Sequence, residues 1–238
     1  MNQVATPASG GLLDDLLEIF TSPSKVFERR REGGYGLLLL VLMVLAVTIG
    51  LATMGLTEVF WDAQVQLGMQ QAAAKGQPMP AQAVEMGRGF TRWGGALGPA
   101  VILPIAVWIG ALFVMLGAKI TGGSVSYKQG ALIVTLASFP RLLGPIIMAV
   151  LGLVVDPQTI RSVSDGALGP ARFFDPLTTS PVVLGVLANF ELTNLWSIAI
   201  MAIGISVIAR VTRGSGWVGA GIVFACSLAL TIIPAALF

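Results

Sequence analysis

Five stretches of this chain are apolar for long enough to cross a lipid bilayer, which takes about 20 consecutive apolar residues in a helix. They lie at about 36–57, 97–118, 130–155, 181–209 and 217–238. The first, "GLLLLVLMVLAVTIGLATMGLT", holds no charged residue. The second is interrupted by Pro104, and the third carries Arg141 between Pro140 and Pro145, positions at which a helix is expected to kink. Only 11% of residues are charged, less than half of the roughly 25% that a soluble domain carries. Most of the mass therefore belongs in the membrane. The expected fold class is all-α: a polytopic membrane protein built as a bundle of five transmembrane helices.

The connections alternate in length. Residues 58–96 form a long segment containing "KGQPMPAQ", through which no helix can continue, while 119–129 is short, 156–180 long and 210–216 short. Lys25, Arg29, Arg30, Arg31, Lys119, Lys128, Arg210 and Arg213 fall on one side. Lys75, Arg88, Arg92, Arg161 and Arg172 are spread over the longer loops of the other. This bias puts the N-terminus in the cytoplasm and the C-terminus outside, in a multi-pass protein of the cell's inner membrane. The first apolar run begins only near residue 35, too late for a cleaved signal peptide, and none is expected.

Residues 1–35 read as a cytoplasmic N-terminal segment ahead of the transmembrane domain at 36–238. Leu12, Leu13, Leu16, Leu17 and Phe20 share one helical face, with Asp14, Asp15 and Glu18 elsewhere. Pro23 suits a first helical turn, where its missing N–H costs nothing. On this reading an amphipathic helix lies on the membrane interface, Val26 and Phe27 enter the headgroup region, and Lys25, Arg29, Arg30 and Arg31 meet lipid phosphates. A helix packed on the bundle, with an ordinary basic flank, fits the same residues.

Histidine is absent and Cys226 is the single cysteine. Ser-His-Asp and Cys-His nucleophile systems and His or Cys metal clusters are thereby excluded within the chain, as is an internal disulfide. No catalytic residue, metal or cofactor is expected. With 14 basic against 12 acidic residues, nothing points to nucleic acid.

The fourth apolar run contains "ANFELTNLW". On a continuous helix Glu191, Asn194 and Ser197 recur every three residues as one polar stripe, widened by Asn189. A glutamate in hydrocarbon is costly unless paired, protonated or hydrated, and Arg141 is the nearest candidate partner by depth. The stretch is either a structural set of hydrogen bonds between helices or a proton or ion site.

"SPSKVFERRREGG" before the first span, "ASFPRLLGP" in the third and "FELTNLWSIAIMAIGIS" in the fourth together resemble the bacterial branch of the Yip1-domain membrane proteins. The resemblance implies a five-span fold and no enzymatic activity. Eukaryotic members bind small GTPases in vesicle traffic, and some bacterial members are accessory subunits of MacB-like ABC exporters. The expected function is accordingly a non-catalytic membrane scaffold or accessory subunit. Its expected partners are the lipid bilayer and other integral membrane proteins, an ABC exporter permease or a second copy of itself. The alternative is a small stand-alone transporter or channel using Glu191 and Arg141.

Overall fold

The computed structural model describes residues 11–237, with side chains as far as Ile232. The first ten residues of the 1–35 segment and the last residue of the run at 217–238 lie outside the described residues. The helices are α1 (Leu12–Thr21), α2 (Pro23–Arg30), α3 (Gly36–Ala74), α4 (Ala81–Leu97), α5 (Pro99–Ile120), α6 (Tyr127–Ala137), α7 (Leu143–Val154), α8 (Pro181–Ala188), α9 (Leu192–Ala209) and α10 (Arg213–Leu237). Among the described residues there is no strand. Among the described residues, five helical spans are long and apolar enough to cross a membrane: α3, α5, α6 with α7 as one interrupted span, α9 and α10.

The interrupted span stands at the centre. Every residue from Gly130 to Pro140 is buried, as befits a helix that is apolar all round. Small residues let its neighbours close in. A Cβ added to Gly130 would meet Ala111 O of α5 at 2.8 Å, and one on Gly117 of α5 would meet Gly219 O of α10 at 2.6 Å. Gly110 faces Val134, whereas Ala106 on the same helix is exposed. Ser126 starts α6 through a capping box: its hydroxyl accepts from Gln129 N at 3.3 Å while Gln129 Oε1 accepts from Ser126 N at 3.0 Å. Pro104 stands inside α5, Pro140 in a 3-10 turn at Phe139–Leu142, and Pro145 in the first turn of α7.

The first span does not end where its apolar run ends. α3 continues for 39 residues, about 58 Å at about 1.5 Å per residue, nearly twice the hydrocarbon thickness of about 30 Å. α4 then folds back on it, so most of 58–96 is helical hairpin instead of loop. Glu58 and Asp62 end the lipid-compatible stretch without ending the helix. They approach Arg92 at 3.5 Å and Arg88 at 3.6 Å. The turn falls where the chain allows it, at Gly76 with φ +71° and before Pro78 and Pro80.

α1 and α2 form an antiparallel hairpin against α9 and the Phe139–Leu142 turn. Phe20, near its tip, meets Trp196 edge to face with centroids 5.6 Å apart. Val26 and Phe27 are fully buried in protein, which corrects their assignment to the headgroup region. The reason is Gly204 of α9, where even a Cβ would lie 2.7 Å from the Phe27 ring. The missing side chain is the slot that the ring fills. Leu12, Leu16 and Phe20 pack inward with them, while Leu13 and Leu17 on the same helix stay exposed. Arg29 and Arg30 both donate to the buried Asp15 carboxylate, and Arg29 also reaches Glu18 at 2.8 Å. Those hydrogen bonds raise the Arg29 guanidinium above its ordinary value. Arg31 Nη2 donates to Ile208 O at 2.9 Å, and only Lys25 of this basic group is exposed.

At the opposite end, residues 155–180 wind through three short 3-10 turns against the projecting part of α3. Gly166 lies against Phe60 and Met148. Arg161 Nη2 holds Asp165 at 2.7 Å and also donates to Arg172 O at 2.7 Å. Burial pushes the Asp165 carboxyl up, but the Arg161 guanidinium and the backbone N–H groups of Arg161 and Ser162 outweigh it, leaving the carboxyl below its usual range.

Candidate functional site

The polar residues of "ANFELTNLW" occupy a break in the fourth apolar run. α8 ends at Ala188 with Asn189 as its C-cap, and α9 starts after Glu191, an extended residue with φ −63° and ψ 143°. Glu191 therefore precedes the helix and is not part of a stripe along it. The outer loop seats the break: Leu192 N donates to Leu168 O at 3.0 Å, and a Cβ on Gly169 would approach Glu191 Cα at 3.1 Å. Nothing in the local sequence marks Leu168 and Gly169 for this role, because their partner is more than twenty residues away.

One hydrogen-bonded chain ties the two broken spans together. Arg141 Nη2 donates to Asn194 Oδ1 at 2.6 Å, Asn194 Nδ2 to Asn189 O at 2.7 Å, and Asn189 Nδ2 to Gly185 O at 2.8 Å. Asn189 thus serves α8 with its side chain and receives α9 with its carbonyl. Ser197, fully within α9, is buried and bonds back to Thr193 O at 2.9 Å. It belongs to the packing between helices and does not join the Arg141 chain.

Arg141 and Glu191 do not form an ion pair; the arginine's close partner is the neutral Asn194. Glu191 instead points toward the first turn of α7, with Oε1 3.7 Å from where a Gly144 Cβ would stand. A helix N-terminus of this kind favours a negative charge beside it. Among the described residues no cation lies within 4.0 Å of the Glu191 carboxylate and no carboxylate lies that close to Arg141.

All four break residues, Arg141, Asn189, Glu191 and Asn194, line one cavity of about 660 Å³. That is within the roughly 300–1,000 Å³ of small-molecule pockets. Its other walls come from α3, α4, α5, α7 and the outer loop, and are mostly apolar: Leu42, Ile49, Leu103 and Met148 are typical. Arg141 is exposed into this space, although it stands midway along the interrupted span. Thr53, Thr57 and Trp61 of α3 and Arg92 of α4 also face the cavity. Sequence inspection passed over the threonines, whose four-residue spacing within the first apolar run was the available signal. Trp61 Cζ2 stands 3.4 Å from where a Gly95 Cβ would lie, and both residues line the cavity.

The Yip1 domain family model matches residues 17–233. "Membrane protein YknW" of Bacillus subtilis (strain 168) is 27% identical over 219 residues, covering 88% of this chain and 84% of that protein. No solved structure matches the chain.

Proposed function

The chain belongs to the Yip1 domain family of multi-pass membrane proteins, and from that premise we propose that it is a non-catalytic scaffold or accessory subunit of a larger membrane assembly. The assembly we favour is an ABC exporter of the MacB-like kind, in the cell's inner membrane. The observation that carries this reading is the hydrogen-bond chain from Arg141 through Asn194 and Asn189 to Gly185. Its polar groups end on backbone carbonyls and hold spans three and four in register, which is structural work. A permeation path needs free polar groups at several depths of several spans, whereas Arg141, Asn189 and Asn194 gather at the two helix breaks and the Thr53 and Thr57 hydroxyls are spent on Ile49 O and Met54 O of their own helix. The α3–α4 hairpin supports the same reading, because it projects a helical arm beyond the bilayer toward the outer parts of a partner.

Orientation follows from charge: the basic residues at 25–31, 119–128 and 210–213 mark the cytoplasmic side. On that side the α1–α2 hairpin sits at the interface with Leu13 and Leu17 turned to lipid and Lys25 toward the headgroups. A spin label at Leu17→Cys, in a Cys226→Ser background, is expected to collide more with oxygen than with a water-soluble nickel chelate in reconstituted bilayers. The reverse ranking would remove the interfacial placement.

The function itself is tested by mild-detergent affinity purification from the native host with mass spectrometry of the co-purifying chains. An ABC permease and its ATPase in stable stoichiometry support the accessory-subunit reading. Recovery of this protein alone, or only with itself, rules out that reading.

A further inference from the structure

Three charged residues line the cavity: Arg92, which Glu58 answers at 3.5 Å, and Arg141 and Glu191, which no side chain of opposite charge approaches within 4.0 Å among the described residues. Arg141 enters from the turn between α6 and α7 and spends one donor on Asn194 Oδ1. A guanidinium has five N–H donors, so most of its hydrogen-bonding capacity faces the cavity. Glu191 enters from the α8–α9 break, its carboxylate set against the first turn of α7. The remaining wall is largely apolar and of drug-sized volume, about 660 Å³.

An uncompensated charge at this depth costs several kcal/mol in a membrane. An acidic ligand alone would satisfy Arg141 and leave Glu191 facing like charge. A neutral apolar ligand would fill the space and satisfy neither. A molecule that carries an anion and a cation a few bonds apart answers both charges while adding no net charge, and an attached alkyl chain fits the wall formed by Leu42, Ile49 and Leu103.

We propose that this cavity binds a zwitterionic lipid of the phosphoethanolamine type, with its phosphate on Arg141, its ammonium on Glu191 and an acyl chain along α3 and α5. The proposal stands apart from the accessory-subunit reading: a lipid in this cavity requires no exporter, and an exporter partner requires no lipid.

The test uses the full chain in mild detergent and native mass spectrometry. Three single-chain probes of equal acyl length are titrated: lysophosphatidylethanolamine, lysophosphatidylglycerol and a monoacylglycerol. Lysophosphatidylethanolamine is expected to bind most tightly, with one copy retained. Arg141→Gln is expected to weaken it by about thirtyfold, the scale for stranding one member of a buried charge pair. Glu191→Gln is expected to abolish the preference over lysophosphatidylglycerol while leaving phosphate binding in place. Because Arg141 also holds Asn194, Ala46→Phe serves as a second variant: it blocks the apolar part of the cavity from α3 and touches neither charge. It is expected to reduce retention at an unchanged melting temperature. Equal retention of all three probes, tighter lysophosphatidylglycerol, or unaltered binding in Ala46→Phe would each overturn the proposal. A phosphoethanolamine lipid carried through purification from the host would identify the bilayer as the source, and its appearance only after titration would identify an exchangeable ligand.

Discussion

Phe27→Ala is expected to destabilise the N-terminal hairpin by about 3–5 kcal/mol, the range for emptying a buried phenylalanine site. Phe27 is fully buried and its ring occupies the notch left by Gly204. Neither helix can close the space, because α2 is held at its far end by Arg29 and Arg30 on Asp15 and by Arg31 on Ile208 O. An isolated helix of eight residues has no stability of its own in water. Losing the ring should therefore release α1 and α2 together, leaving the five spans assembled. Hydrogen exchange at residues 12–30 is the direct readout, and protection there should fall far more than at 130–140. Gly204→Val should give the same pattern from the other side. Wild-type protection in both variants would mean that the hairpin is held by its ion pairs alone.

The second large effect concerns the contact between α3 and α7. A Cβ at Gly152 would stand 2.1 Å from Leu56 O, a backbone atom that no rotamer change can move. Leu at this position must push the two helices apart over the half of the bundle that carries the cavity. Overpacking of a core costs roughly 1–3 kcal/mol for added methylenes, and a forced helix separation should exceed that range. Gly152→Leu is expected to abolish the monodisperse folded peak in mild detergent, and Gly152→Ala to reduce it. Gly55, the residue before Leu56 on α3, has nothing within 4 Å of its would-be Cβ. Gly55→Leu therefore serves as the matched control and should behave as wild type. If Gly152→Leu elutes like Gly55→Leu, the close approach of α3 and α7 is not a feature of the folded protein.

How far the fold could be read in advance differs from element to element. Five apolar runs specify five membrane-crossing helices, because the need to satisfy backbone groups in hydrocarbon leaves a single-chain apolar segment little choice but a helix. Hydropathy did not reveal that α3 runs on to Ala74, since it reports where lipid ends and not where hydrogen bonding ends. The polar residues 189, 191 and 194 and Arg141 announced themselves by standing in apolar surroundings, and the structure brings them to one cavity. Their partners did not follow from depth along the spans. That estimate pointed from Arg141 to Glu191 on the assumption of a continuous helix; the break at 189–191 swings Glu191 toward Gly144 and presents Asn194 to the arginine.

The division has a simple physical origin. Sequence alone determined the number of spans, the all-helical class and the family resemblance, because each depends on local apolar length and on the order of residues along the chain. Tertiary structure decided the rest. Whether Phe27 meets lipid or Gly204, which loop seats the α8–α9 break, and which oxygen receives Arg141 depend on atoms brought together from distant positions. A hydrogen bond or a buried ring is specified by the distance between two groups, and in a helical bundle packing sets that distance.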